Sequence, residues 1–267
     1  MAGTFLDTTI VVQLAEGIES EPSQTFVAAN QPATMAFYAL RELLAGRVRL
    51  ICETHNRVLS SENHAEALLA LHSVSPAEGR KKEARLRVLA DSLKAVFAEN
   101  PGGPRNEMKR ELLQDLSMRA AQLWRRARRL TGVNAVQPLG CFYGGKLDRG
   151  PAGELRGPGD SFNCCKTERC AAAAYLYDDQ AALSKLVDAL HPSNLGAAAG
   201  KNENSQRRKA LKELLSNGPT NFNKSRCRAL GDAYFAAMCP PGSAVATSNL
   251  VDFLPLCEAL GKDVKKP

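Results

Sequence analysis

Four carboxylates in this chain stand in sequence settings where a lone charge is expensive. Asp7 ends the apolar, β-branched run in TFLDTTIVV and is followed directly by two threonines. As the residue before a helix starting near Thr9, it reads as an N-cap, since Asp is a good one. As an acid at the carboxyl end of a buried strand, it reads as a ligand. Glu42 lies in ATMAFYALRELLA, a segment apolar nearly all round whose other polar members are Thr34 and Arg41. Arg41 and Glu42 are adjacent, so their side chains do not face each other on a helix. A buried carboxylate is costly unless it is paired or bound to a metal. Asp232, in GDAYFAAM, falls among Ala229, Ala233 and Ala236, away from the stripe of Cys227, Leu230, Tyr234, Phe235 and Met238. That small-residue face lets another element or a metal approach. Asp252 follows a short apolar strand that ends in Thr247, Ser248 and Asn249. Several carboxylates at one place repel each other without a cation, and oxygen ligands suit Mg²⁺ or Mn²⁺.

The elements that must position these acids follow from periodicity and breakers. Strands are expected at 3–6, in QTFVAAN, at 48–51 (VRLI) and at 245–247. Helices are expected at 9–19, 33–45, 53–71, 77–97, 104–130, 165–177, 179–190, 203–216, 224–238 and 252–260. Residues 131–161 are dense in Gly and Pro and read as a long loop. Strands alternate with helices at both ends of the chain, which predicts a parallel α/β sheet there. Ligand sites in such sheets form beyond the carboxyl ends of the strands, where Asp7 and Asp252 would both lie.

At this point the motifs resemble a family. LDTT near the N-terminus, Glu42 in a helix, GDAYFAA, and ATSNLVDF with LG behind it look like a PIN domain. The resemblance covers roughly residues 1–70 and 220–260. It implies an α/β fold in which a PIN-like parallel β-sheet is sandwiched by helices. It also implies an endonuclease that hydrolyses RNA phosphodiester bonds with Mg²⁺ or Mn²⁺. Its acidic cluster, both metal-binding and catalytic, maps onto Asp7, Glu42, Asp232 and Asp252, with Glu53 and Glu62 as rivals for Glu42. Thr9, Thr247 and Asn249 map onto polar supports; Thr9 stands where Asn or Ser is commoner in the family. As partners, the resemblance implies an RNA substrate and leaves open an antitoxin-like or other protein and a homodimer. The division expected is a catalytic core at 1–75 and 218–267, with a mostly helical insertion at 76–217. A PIN scaffold that binds nucleic acid or a protein without cutting is the alternative.

Charge points the same way. The chain carries a net +7, and residues 76–131 hold fourteen Lys/Arg against seven acids, an excess equal to that of the whole chain. A local basic surface suits a polyanion. WRRARR places Arg125, Arg126, Arg128 and Arg129 beside Trp124, which could stack on a base. Cations at a helix C-terminus are favourable in any case.

Mean hydropathy is −0.26, and no stretch approaches the ~20 apolar residues of a membrane span. No basic region followed by an apolar core opens the chain. A cytoplasmic protein is expected, with its eight cysteines mostly reduced. Cys141, Cys164, Cys165 and Cys170 lack the paired Cys-x₂₋₄-Cys spacing of zinc fingers, so reduced cysteines ordering a small module are favoured over a zinc site. Cys52, Cys227, Cys239 and Cys257 are expected in the core. His55 and Asn56 could reach the site if their helix lines it.

Overall fold

The computed structural model describes residues 3–17, 20–72, 79–101, 104–136, 147–157, 170–194, 201–220 and 224–267. In chain order the elements are β1 (Thr4–Leu6), α1 (Thr8–Glu16), α2 (Ser20–Ala29), β2 (Ala33–Ala36), α3 (Phe37–Leu43) and a π-helical turn (Leu44–Val48). Then come α4 (Arg49–Ser60), α5 (His64–His72), α6 (Gly79–Glu99), α7 (Arg105–Asn134), β3 (Ala135–Val136), β4 (Asp148–Arg149) and β5 (Leu155–Arg156). The C-terminal part holds α8 (Ala171–Asp178), α9 (Gln180–Ala189), α10 (Lys201–Asn217), α11 (Lys224–Ala229), α12 (Gly231–Met238), β6 (Ala244–Ala246), α13 (Leu250–Ala259) and β7 (Asp263–Lys265).

The chain folds as two compact units: 1–41, 130–143 and 163–267 in the first, and 42–129 with 144–162 in the second. The first unit contains a five-stranded sheet of order β3-β2-β1-β6-β7, parallel at every pairing. Phe5 of β1 aligns with Thr34 on one side and Val245 on the other. The chain leaves β1 for β2 in one direction and returns to its other edge as β6. The crevice between the carboxyl ends of β1 and β6 is therefore a topological switch point, where open parallel sheets bind ligands.

Aromatic packing fixes the elements around that crevice. Phe5 meets Phe235 of α12 at 6.3 Å between ring centroids, and Phe235 meets Phe253 of α13 at 6.4 Å. Tyr38 of α3 stands edge-on to Phe235 at 5.5 Å. All four rings are buried. Each phenylalanine lies within three residues of an aspartate: Phe5 near Asp7, Phe235 near Asp232, Phe253 beside Asp252. Burying these rings holds the three acid-bearing segments together, each ring contributing about 1.5–3 kcal/mol of transfer free energy.

Helices α8, α9 and α10, expected in the insertion, belong to this first unit; α8 packs on α12 and α9 on α13. In the second unit α4, α5 and α6 pack together, and α4 also carries the β4–β5 hairpin. Among the described residues, no helix is long and apolar enough to cross a membrane.

Several local expectations are corrected. QTFVAAN is the body of α2, not a strand, and Pro22 sits in that helix's first turn, where proline is tolerated. The helix expected at 33–45 begins as β2, because ATMA is drawn into the sheet beside β1. VRLI is helical: Ile51, Cys52, His55 and Val58 share one buried face of α4. Gly17, at φ 74°, ends α1 in the left-handed conformation that favours glycine. The loop expected from 131 is shortened by the last turn of α7, by β3, and by the hairpin.

Candidate functional site

Asp7 is both of the things its sequence position suggested. Its backbone is extended (φ −72°, ψ 162°), and its side chain caps α1. Oδ1 accepts from Thr8 N at 2.6 Å, and Oδ2 accepts from Thr9 N at 3.3 Å and Thr9 Oγ1 at 2.8 Å. Thr247, just past β6, donates its hydroxyl to the same Oδ2 at 2.9 Å. Asp7 N in turn donates to Ala246 O at 3.0 Å. The acid is thus stitched across the switch point from both strands. Burial raises its carboxyl above the usual aspartate range, against the lowering influence of these hydrogen bonds.

The TSN segment after β6 continues the network. Asn249 N donates to Thr247 Oγ1 at 2.9 Å, Ser248 N to Thr9 Oγ1 at 3.2 Å, and Asn249 Nδ2 to Asp252 Oδ2 at 2.7 Å. Thr9 and Thr247 therefore hold Asp7, and Asn249 holds Asp252. Asp252 lies in the first turn of α13 and is buried.

Asp232 lies in the first turn of α12. Its carboxyl is pushed up to about 6, by burial first and then by the charges of Asp7, Asp252 and Glu203, while Arg207 pulls it down. The charges of Asp7 and Asp252 thus both bear on Asp232, and Arg207 ties Asp232 to Asp252 directly. Among the described residues, however, no three His, Cys, Asp or Glu side chains are arranged as a ready-made ligand set for one ion.

A guanidinium stands among them. Arg207 of α10 donates through Nη2 to Asp232 Oδ2 and through Nη1 to Asn204 Oδ1, with Nη1 3.8 Å from Asp252 Oδ1. The Arg207 side chain is 7% exposed. Asn204 is fully buried, and its Nδ2 has no hydrogen-bond partner.

Sequence reasoning missed this arginine, and Glu203 and Asn204 with it. A signal was available: Asn204, Arg207, Leu211 and Leu214 recur at helical spacing and are all buried, so a polar pair extends the apolar stripe of α10.

The other expected residues lie elsewhere. Glu42 is half-buried near the end of α3, and Glu42, Glu53 and Glu62 all fall in the second unit. Glu53 accepts from Arg49 at 2.7 Å and from Arg85 at 2.5 Å. Burial raises its pKa, but the two arginines outweigh that and lower it. Glu62 is exposed in the turn before α5. His55 and Asn56 are also in the second unit. Asn56 clamps β5, donating to Leu155 O at 2.9 Å and accepting from Leu155 N at 2.7 Å, so its side chain serves the hairpin. Arg125, Arg126, Arg128 and Arg129 are all exposed on α7, with Ala127 buried among them and Trp124 half-buried. Cys141, Cys164 and Cys165 lie outside the described residues. Cys170 is buried, as are Cys52, Cys227, Cys239 and Cys257, and among the described residues none of the five forms a disulfide.

The donor chemistry fits a hard divalent cation: three carboxylates with hydroxyl and amide supports, all oxygen on the ligand side. One arginine faces three aspartates, and after burial, the main cause, the neighbouring negative charges add to the rise in the Asp232 pKa. No protein-family model matches the chain, and neither does any curated protein or solved structure.

Proposed function

We propose that the chain is a PIN-like, divalent-metal-dependent endoribonuclease, with its site at the switch point of the parallel sheet. The observation that carries this reading is Asp7, held by the Thr9 hydroxyl of α1 and the Thr247 hydroxyl just past β6, with its charge bearing on Asp232. Asp7, Asp232 and Asp252 are the residues that would hold Mg²⁺ or Mn²⁺. When bound, such an ion supplies an activated water and neutralises charge developing on the scissile phosphate. Thr9, Thr247 and Asn249 fix the carboxylates in orientation, so little reorganisation is needed at the moment of reaction. The exposed arginines of α7 offer the RNA backbone a basic face.

Arg207 favours a second reading, the PIN scaffold that binds without cutting. A guanidinium already compensates Asp232 and Asp252 in part. The test that separates the two is incubation of mixed RNA with the protein and Mn²⁺, with and without EDTA. Cleavage abolished by EDTA supports the nuclease. RNA retention with no cleavage under either condition supports the scaffold.

A further inference from the structure

The pair Asn204–Arg207 is unexplained by the ligand set, and it lies on a helix outside the residues that carry the PIN resemblance. Two facts about it are independent. Arg207 lends its guanidinium to Asp232 and Asp252, so the chain's own cation is bound by two of the acids assigned to the metal. Asn204 Nδ2 is a fully buried donor with no acceptor, an expensive arrangement that asks for an incoming oxygen. The first fact concerns charge and the second an unmet hydrogen bond, and they meet because Asn204 Oδ1 accepts from Arg207 Nη1.

We propose that Asn204 and Arg207 are the phosphate-binding arm of this site, with Arg207 exchanging its aspartate partners for a backbone phosphate of RNA when a divalent cation takes over the carboxylates. This rests on the nuclease reading above. The planar fork of arginine matches two phosphate oxygens as readily as two carboxylate oxygens, so the exchange preserves its hydrogen bonding. Asn204 Nδ2 supplies a further donor beside it. The exchange also balances charge: the aspartates gain a divalent ion as they lose a monovalent one, and the released guanidinium meets a phosphate.

The consequence is a pair of opposite effects from one substitution. Arg207→Gln removes a competing cation from the acids and the main donor to the phosphate. Mn²⁺ binding to the RNA-free protein, read from the free-ion EPR signal, should tighten about tenfold. Binding of a short fluorescent RNA in Ca²⁺ should weaken about tenfold. Arg207→Lys keeps the charge and loses the fork, so RNA binding should fall while Mn²⁺ binding stays near wild type; it serves if the Gln protein does not fold. Asn204→Leu keeps the branched shape at Cγ while removing the amide, and should weaken RNA binding about threefold without changing Mn²⁺ affinity. If wild type binds Mn²⁺ and cuts RNA but these variants match it in both affinities, the phosphate arm is wrong and the nuclease reading stands. If Mn²⁺ and RNA binding both fall in folded Arg207→Gln, Arg207 is structural and the proposal fails. If wild type binds no Mn²⁺, both readings fall together.

Discussion

Neutralising Asp232 should make the metal-free protein more stable, although it removes one partner of a buried ion pair. The reason is the direction of its ionisation. Its carboxyl is raised from the ordinary 3.8 to about 6, and the attraction of Arg207 is already contained in that net value. A shift of about two units corresponds to about 3 kcal/mol. The side chain is 28% exposed, so solvent screening brings the effect to on the order of 1–2 kcal/mol. Because the folded-state pKa lies above the unfolded one, the native state holds the proton more tightly. The penalty is absent below about pH 4, grows as pH rises through about 6, and is complete above it. Asp232→Asn mimics the protonated form and escapes the loss. Urea unfolding in EDTA, followed by far-UV circular dichroism, should show the two proteins alike near pH 4 and the Asn protein ahead by ~1–2 kcal/mol near pH 8. Burial raises Asp7 in both proteins, and its charge is part of the penalty on Asp232 that the Asn protein escapes. An Asn variant that is less stable near pH 8, by as much as near pH 4, would refute the reasoning: the Arg207 pair would then outweigh burial and repulsion.

Asp7→Asn should keep the cap of α1, since Asn and Asp cap about equally well, whereas Asp7→Ala loses the cap and strands the buried Thr247 hydroxyl. Urea midpoints should place the Ala variant about 2–3 kcal/mol below the Asn variant. Replacing Arg125, Arg126, Arg128 and Arg129 together with Gln should flatten the salt dependence of RNA affinity, by about 0.7 in slope for each phosphate that is no longer neutralised. Coincident lines for the two proteins would mean that this face is only solvated. Asn56→Ala removes both side-chain bonds to Leu155, at a cost of about 1–2 kcal/mol. Amide exchange at Leu155 should accelerate, and unchanged protection would show that the hairpin is held by other interactions.

The parts of the fold that were legible in the sequence are those with local causes. TFL followed by Asp announces a strand and a cap, and the VAT strand, the long amphipathic helices and the closing helix follow from periodicity and breakers. The misread segments are short apolar runs, where strand and buried helix look alike. QTFVAAN and VRLI became helix because of what flanks them, and ATMA became strand because β1 offered it an edge. In the site, Asp7, Asp232 and Asp252 were visible as acids at strand ends and on a small-residue face. Asn204 and Arg207 were not, because their burial depends on α10 packing against segments distant in sequence, and KNENSQRRK, which also holds the exposed Glu203, is polar throughout. The helical acid was the least determined, since Glu42, Glu53 and Glu62 differ only in partners that sequence does not disclose. Glu53 turned out to be held by two arginines.

The most direct test of the nuclease reading is cleavage of a mixed single-stranded RNA by wild type and Asp7→Asn proteins in Mn²⁺, with an EDTA control and with both proteins verified as folded. Metal-dependent cleavage by wild type, lost in EDTA and lost in Asp7→Asn, is the expected result. Equal cleavage by the two proteins, or cleavage that survives EDTA, would contradict a metal site built on Asp7.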